Sequence, residues 1–176
     1  HDVGDNGKAT ARRSRAMEAL GTIHFATHPW LVEAFDDHVD NRLYALPRNE
    51  HHILSLEMAP RRAGVNWAHA ALERASAKRV LLLTHAFLYK DGTLYDAQRT
   101  DQRWAPHTYP IFKADCLDPA RLWSEFIEPT PAIRTVLCGH AVEIEHGFCR
   151  NERQSGPPVD ALLTNFQDHD AGGDGV

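Results

Sequence analysis

Two apolar runs that each stop at a histidine constrain this chain more than any other feature. Residues 79–85 read RVLLLTH and residues 135–140 read TVLCGH. Val80–Leu83 and Val136–Leu137 are continuous apolar runs of the kind found in strands buried on both faces of a parallel sheet. Each run then gives way to a small residue and a histidine, Thr84-His85 in the first and Gly139-His140 in the second. Strands of this type lying together bring two imidazoles to one edge of the sheet.

The order of elements agrees with a parallel arrangement. Leu43–Leu46 and Ile53–Met58 read as strands around the turn Pro47-Arg48-Asn49. Val65, Ala68, Leu72 and Ala75 recur at helical spacing, with Trp67 and Ala71 widening the stripe, which predicts an amphipathic helix over 65–76. Strand 79–85 follows, completing the strand–helix–strand order of a βαβ unit. Residues 88–117 form a long irregular stretch, and a connection of that length within a compact domain is commonly functional or flexible. Asp118 as N-cap, Pro119 at the first helical position, and Leu122, Trp123 and Phe126 predict a short helix, closed by Pro129 and Pro131. Strand 133–139 and a last strand, Val159–Phe166, complete an α/β chain, and the tail from 168 onward is too polar to pack.

Composition serves mainly to exclude. A chain of 176 residues is long enough for one domain with a core of its own. A formal net charge of −5 leaves no basic footprint for a nucleic-acid backbone. No apolar stretch approaches the roughly 20 residues needed to span a bilayer. Cys116, Cys138 and Cys149 are odd in number and lack C-x-x-C spacing, so neither a disulfide framework nor a zinc ribbon is indicated. The compartment stays open.

In α/β sheets ligands bind beyond the carboxyl ends of the strands, where His85 and His140 fall on this reading. A neutral imidazole on a rigid strand end is a good ligand for a divalent transition metal, because its direction is set before the ion arrives. Gly139 would let the backbone approach closely and turn sharply before His140. The alternative is that each histidine merely caps its strand by hydrogen bonding. Of the other histidines, His51 and His52 are adjacent on a strand and must point to opposite faces. His24, His28, His38 and His169 lie in polar surroundings, and His69 falls on the polar side of the 65–76 helix. His107, in the long loop, is the candidate for a substrate contact at the rim, while Trp104 reads as loop packing. Glu57 is either an orienting partner for a ligand histidine or a structural carboxylate.

These residues belong to a wider pattern. His1-Asp2, "DNRLYAL" (40–46), "ILSLEMAPRRAGVNWAHAAL" (53–72), "VLLLTHAFLYKDGTLYD" (80–96), "RWAPH" (103–107) and "VLCGHAV" (136–142) occur in that order. Over 1–167 the chain resembles a bacterial branch of the calcineurin-like metallophosphoesterases. That superfamily reads D-x-H, G-D-x-x-D, G-N-H-[D/E], a lone His and G-H-x-H. The resemblance implies a four-layer α/β/β/α sandwich, with this chain carrying the C-terminal portion of the catalytic domain over 1–167, the N-terminal strands absent and 168–176 a flexible or truncated tail. It further implies hydrolysis of a phosphate-ester substrate by two divalent ions, manganese, iron or zinc, which clamp the phosphate oxygens and activate a bridging water. By the same resemblance His85 and His140 bind one ion. His1 faces the phosphate and can protonate the leaving oxygen, with Asp2 orienting its imidazole.

Two departures bear on activity. Val142 stands where G-H-x-H has its second His, and a valine side chain cannot bind a metal; His146 is the nearby candidate to replace it. D-x-H and G-D-x-x-D do not stand ahead of His1-Asp2 as the motif order requires, so the bridging carboxylate is missing and the chain alone is expected to be inactive. A non-catalytic domain that keeps the fold is the rival reading. A nucleotide-binding α/β module is disfavoured, since neither G-x-G-x-x-G nor G-x-x-x-x-G-K-[ST] follows any strand.

Overall fold

The computed structural model describes residues 27–35, 41–47, 50–112 and 115–166. These form an α/β unit built on one mixed seven-stranded sheet. The strands are β1 (Leu31–Phe35), β2 (Asn41–Ala45), β3 (His51–Ser55), β4 (Arg79–Ala86), β5 (Ile133–Gly139), β6 (His146–Asn151) and β7 (Val159–Thr164), in the spatial order β1-β2-β3-β4-β5-β7-β6. β3, β4, β5 and β7 pair in parallel, β2 and β6 run antiparallel to them on either side, and β1 pairs antiparallel with β2. The carboxyl ends of four parallel strands therefore share one edge.

Helix α1 (Arg62–Arg74) makes the crossover from β3 to β4, as its stripe predicts. It buries Val65, Ala68, Ala71 and Leu72 on the sheet face that carries Leu54, Val80, Leu82, Val136 and Ala161. Full burial of a side chain the size of Val65 or Leu72 contributes about 1.5–3 kcal/mol. The helix starts before its apolar stripe because Glu57 organises its entry: Oε1 accepts from the backbone N–H of Arg61 at 3.3 Å and from its Nε at 2.9 Å. It stops at Ser76, whose left-handed φ of 50° lets the Ala77 N–H reach back to the Leu72 carbonyl.

The crossover from β4 to β5 carries the long loop, two 3₁₀ turns (Pro106–Thr108 and Pro110–Phe112) and helix α2 (Pro119–Leu122). Asp118 caps α2 as expected, its Oδ1 accepting from the Arg121 N–H at 2.8 Å. Beyond Leu122 the chain widens into a π turn through Ile127. Arg153 locks the exit of that turn: its Nη2 donates to the carbonyls of Ile127, Thr130 and Ile133 at 2.7, 2.9 and 2.9 Å.

Strand bounds differ from the sequence reading at three places. The first two expected strands begin two residues earlier and end one and three residues earlier, at Asn41–Ala45 and His51–Ser55. β1 and β6 had no alternating signal and appear only because each pairs along a neighbour already in the sheet. The last strand ends at Thr164 rather than Phe166. His51 is exposed and His52 buried, the opposite-face arrangement their adjacency requires.

The two faces of the sheet are covered unequally. Leu83, Leu137, Leu162 and Phe148 are register partners across β4, β5, β7 and β6, so they share the face away from α1. Leu137, Leu162 and Phe148 are 36%, 38% and 60% exposed. Parallel strands with one apolar face open to solvent are unusual, because such sheets are normally covered on both sides. Among the described residues, no helix is long and apolar enough to cross a membrane.

Candidate functional site

His85 and His140 meet at the carboxyl edge. Their ring centroids are 4.9 Å apart and the planes cross at 67°. Adjacent parallel pairing of β4 with β5 produces this meeting, with Ala86 opposite Gly139 across a register irregularity. His85 lies inside β4 rather than just beyond it, and His140 follows β5 directly.

Gly139 and His140 divide the sharp turn in an unexpected way. A Cβ on Gly139 would come within 3.2 Å of the Thr164 carbonyl oxygen in β7, a tight contact that the absence of a side chain avoids. The left-handed conformation, however, falls on His140, with φ 72°. Ala59 (φ 45°), Trp104 (φ 58°) and Glu143 (φ 70°) lie in the segments that follow β3, β4 and β5. Side-chain-bearing residues held in this region cost roughly 1–3 kcal/mol each and gather where a site imposes them. Here four of them lie in the connections beyond those three strands.

The electrostatics favour a neutral His85 ring. Burial, followed by the nearby His140, drives the pKa of His85 down to about 3. An uncharged imidazole keeps a lone pair for a metal ion, and metal ligation requires that form. His140 is 3% exposed and lies against the rings of Tyr95 and Tyr109 at 5.8 and 5.9 Å. Its Nε2 stands 2.8 Å from the Trp104 carbonyl oxygen. Cys138 contributes nothing ionic: burial raises its pKa to about 11, and its thiol donates to the Leu162 carbonyl at 3.4 Å.

The ring spacing equals that of two imidazoles sharing one ion. Two imidazoles on one roughly tetrahedral ion have ring centres about 5 Å apart, given metal–nitrogen distances of about 2.1 Å. Nδ1 of His140 and Nε2 of His85 are buried, away from bulk water. Among the described residues, no group of three or more His, Cys, Asp or Glu side chains is arranged to hold a metal. His146 opens β6 as an exposed residue opposite Thr164.

The remaining candidates divide. His1 and Asp2 lie outside the described residues, as do His24, His38 and His169. Glu57 is 8% exposed and spends its Oε1 on Arg61 and on the Asn41 amide at 3.3 Å, which is the structural-carboxylate reading. His107 is half-buried on the first 3₁₀ turn and lines a pocket of about 460 Å³ together with Asp96, Pro106, Phe112 and Arg121. Trp104 and Glu143 were missed as site residues. Glu143 accepts ion pairs from both Lys90 and Arg103, tying the long loop to the turn that follows His140. Nothing in their local sequence marks either residue, because a main-chain carbonyl and a loop-to-loop ion pair leave no spacing pattern. Compared with known proteins, the chain matches no family model, no curated sequence and no solved structure.

Proposed function

We propose that this chain belongs to a metal-dependent phosphoesterase, in which His85 and His140 together hold one divalent ion of a dinuclear centre. The observation that carries the reading is the meeting of two imidazoles, with the His85 ring held neutral, at the carboxyl edge of a parallel sheet. When bound, the ions would polarise the phosphate oxygens and lower the pKa of a coordinated water. The residues of this chain supply direction and exclusion. β4 and β5 aim the rings, and Tyr95 and Tyr109 shield His140. On the motif correspondence, His1 gives a proton to the leaving oxygen and Asp2 keeps its ring oriented.

The finer architecture belongs to the same proposal. The open apolar face bearing Leu137, Leu162 and Phe148 is the surface that a second sheet of an α/β/β/α sandwich would cover. Val142 favours the rival reading, a degenerate domain without turnover, because it offers no donor where the motif has a ligand.

Titration of the chain with Zn²⁺ or Mn²⁺, followed on assigned histidine ring signals, tests the metal reading. The expected result is joint perturbation of His85 and His140, abolished in both His85→Ala and His140→Ala. Metal that moves other histidines and leaves these two untouched would overturn it.

A further inference from the structure

Trp104 interrupts the loop between β4 and β5 in a left-handed conformation, φ 58°. Its carbonyl oxygen is 2.8 Å from Nε2 of His140. A carbonyl oxygen has no proton to give, so Nε2 must carry the hydrogen and donate. A neutral His140 then has its lone pair on Nδ1, the buried nitrogen on the other side of the ring. We propose that Trp104 is a positioning residue: its main-chain carbonyl, aimed by the left-handed backbone, locks His140 in the Nε2–H tautomer and presents Nδ1 as the nitrogen that ligates the ion. The ligand part rests on the metal reading above; the tautomer part does not.

The loop is built to hold that carbonyl still. Before Trp104, Gln102 is 5% exposed and uses both ends of its amide: Nε2 donates to the Leu94 carbonyl and Oε1 accepts from the Asp96 N–H, each at 2.8 Å. After it, Ala105 is fully buried and its carbonyl accepts from the Thr108 N–H at 2.9 Å. Arg103 pairs with Glu143, which follows His140 in the turn after β5. Both partners of the hydrogen bond are thus anchored within a few residues. Carbonyl or carboxylate partners of metal-bound histidines set the tautomer in this manner, and losing one typically weakens metal affinity by about 10–100-fold.

Two substitutions separate the carbonyl from the indole. Trp104→Gly deletes the indole, keeps the carbonyl and relaxes the backbone, since glycine adopts φ > 0 freely. Trp104→Pro fixes φ near −65° and swings the carbonyl away. The readout is a long-range nitrogen–proton spectrum of the ¹⁵N-histidine-labelled, metal-free chain, which shows which nitrogen of His140 bears hydrogen, followed by a Zn²⁺ titration. Wild type and Trp104→Gly should show the Nε2–H form with similar zinc affinity. Trp104→Pro should show mixed tautomers and an affinity lower by about 10–100-fold. An Nδ1–H or mixed His140 in the wild type overturns the proposal with no variant needed, even if the proline variant does not fold. Trp104→Gly behaving like Trp104→Pro would also overturn it, by assigning the effect to the indole. An Nε2–H wild type in which Zn²⁺ leaves His140 undisturbed would keep the tautomer assignment and overturn the ligand role.

Discussion

His85 and His140 touch edge to face, 4.9 Å between ring centroids, although each belongs to a different strand and a 46-residue crossover separates β5 from β4 (Phe87 to Ala132). The contact follows from parallel neighbours whose carboxyl ends coincide.

A side chain at Gly139 should strain the pairing of β5 with β7. In Gly139→Ala the new Cβ would meet the Thr164 carbonyl at 3.2 Å, and a backbone atom of a paired strand can move only by disturbing the ladder. We expect a loss of about 1–2 kcal/mol in urea unfolding, the scale of a mild overpacking, together with shifted ring signals of both histidines. An alanine variant of full stability with unmoved His85 and His140 signals would mean the strands have slack that the close approach denies.

Arg153 should matter for stability alone. It is 8% exposed, and removing it takes a charged donor from the carbonyls of Ile127, Thr130 and Ile133, the first two of which keep the backbone N–H groups of Thr130 and Ile133 as donors. Hydrogen bonds to a charged group contribute roughly 1.5–3 kcal/mol each, so Arg153→Met should lose several kcal/mol, on the order of 2–4. Metal binding at His85 and His140 should persist in whatever fraction remains folded. Unfolding within about 1 kcal/mol of wild type would show that these carbonyls find water.

Acid should destabilise the fold through its buried histidines. Burial lowers the pKa of His52, with the neighbouring His51 adding to the effect, and burial with His140 lowers that of His85 to about 3. In the unfolded chain both titrate near 6.5. Between about pH 6.5 and 3 the unfolded state binds the extra protons, so stability falls as the pH falls, and these two histidines add no further change above neutrality. Urea midpoints at pH 7.5, 6 and 4.5 should decline in wild type, and less steeply in His85→Asn. Parallel declines in the two proteins would remove His85 from the linkage.

The chain by itself should not turn over phosphate esters. Two neutral imidazoles bring no negative charge to offset a divalent ion, and the motif set places the bridging carboxylate in blocks this sequence does not contain. With Mn²⁺ and nitrophenyl phosphate, wild type and His85→Ala should give the same blank. Turnover that disappears in His85→Ala would show that the pair suffices.

In a parent that carries the missing motifs, ligand and acid should separate. His140→Ala should lower metal content and rate together. His1→Ala should retain metal yet slow turnover by about 100-fold or more, as for loss of a general acid. The loss should shrink on nitrophenyl esters, whose leaving group needs no proton. Equal losses on good and poor leaving groups would take the acid role from His1.

Much of the scaffold was legible because it depends on local chemistry. The runs Val80–Leu83 and Val136–Leu137 declare parallel strands, although only alternate residues are buried and Leu137 lies on the open face; the Val65–Ala68–Leu72 stripe declares the crossover helix, and Asp118-Pro119 declares a capped short helix. β1 and β6 were not legible, since an edge strand with little burial is stabilised by the ladder of its neighbour rather than by its own pattern. The small residue and histidine at each strand end were visible too, and with parallel order they foretold two imidazoles at one edge.

What only tertiary structure decided is how those imidazoles are held. Gly139 looked like the turning residue, yet β7 takes up its space and the left-handed step passes to His140. The tautomer of His140 depends on a carbonyl 36 residues away in the chain, at Trp104. Every residue owns such a carbonyl, so no sequence signal marks the one whose direction matters. Local pattern determines which residues enter strands and helices, because periodicity and propensity act over a few positions. Direction at the site is set by packing between distant segments, where backbone groups of any residue type do the aiming.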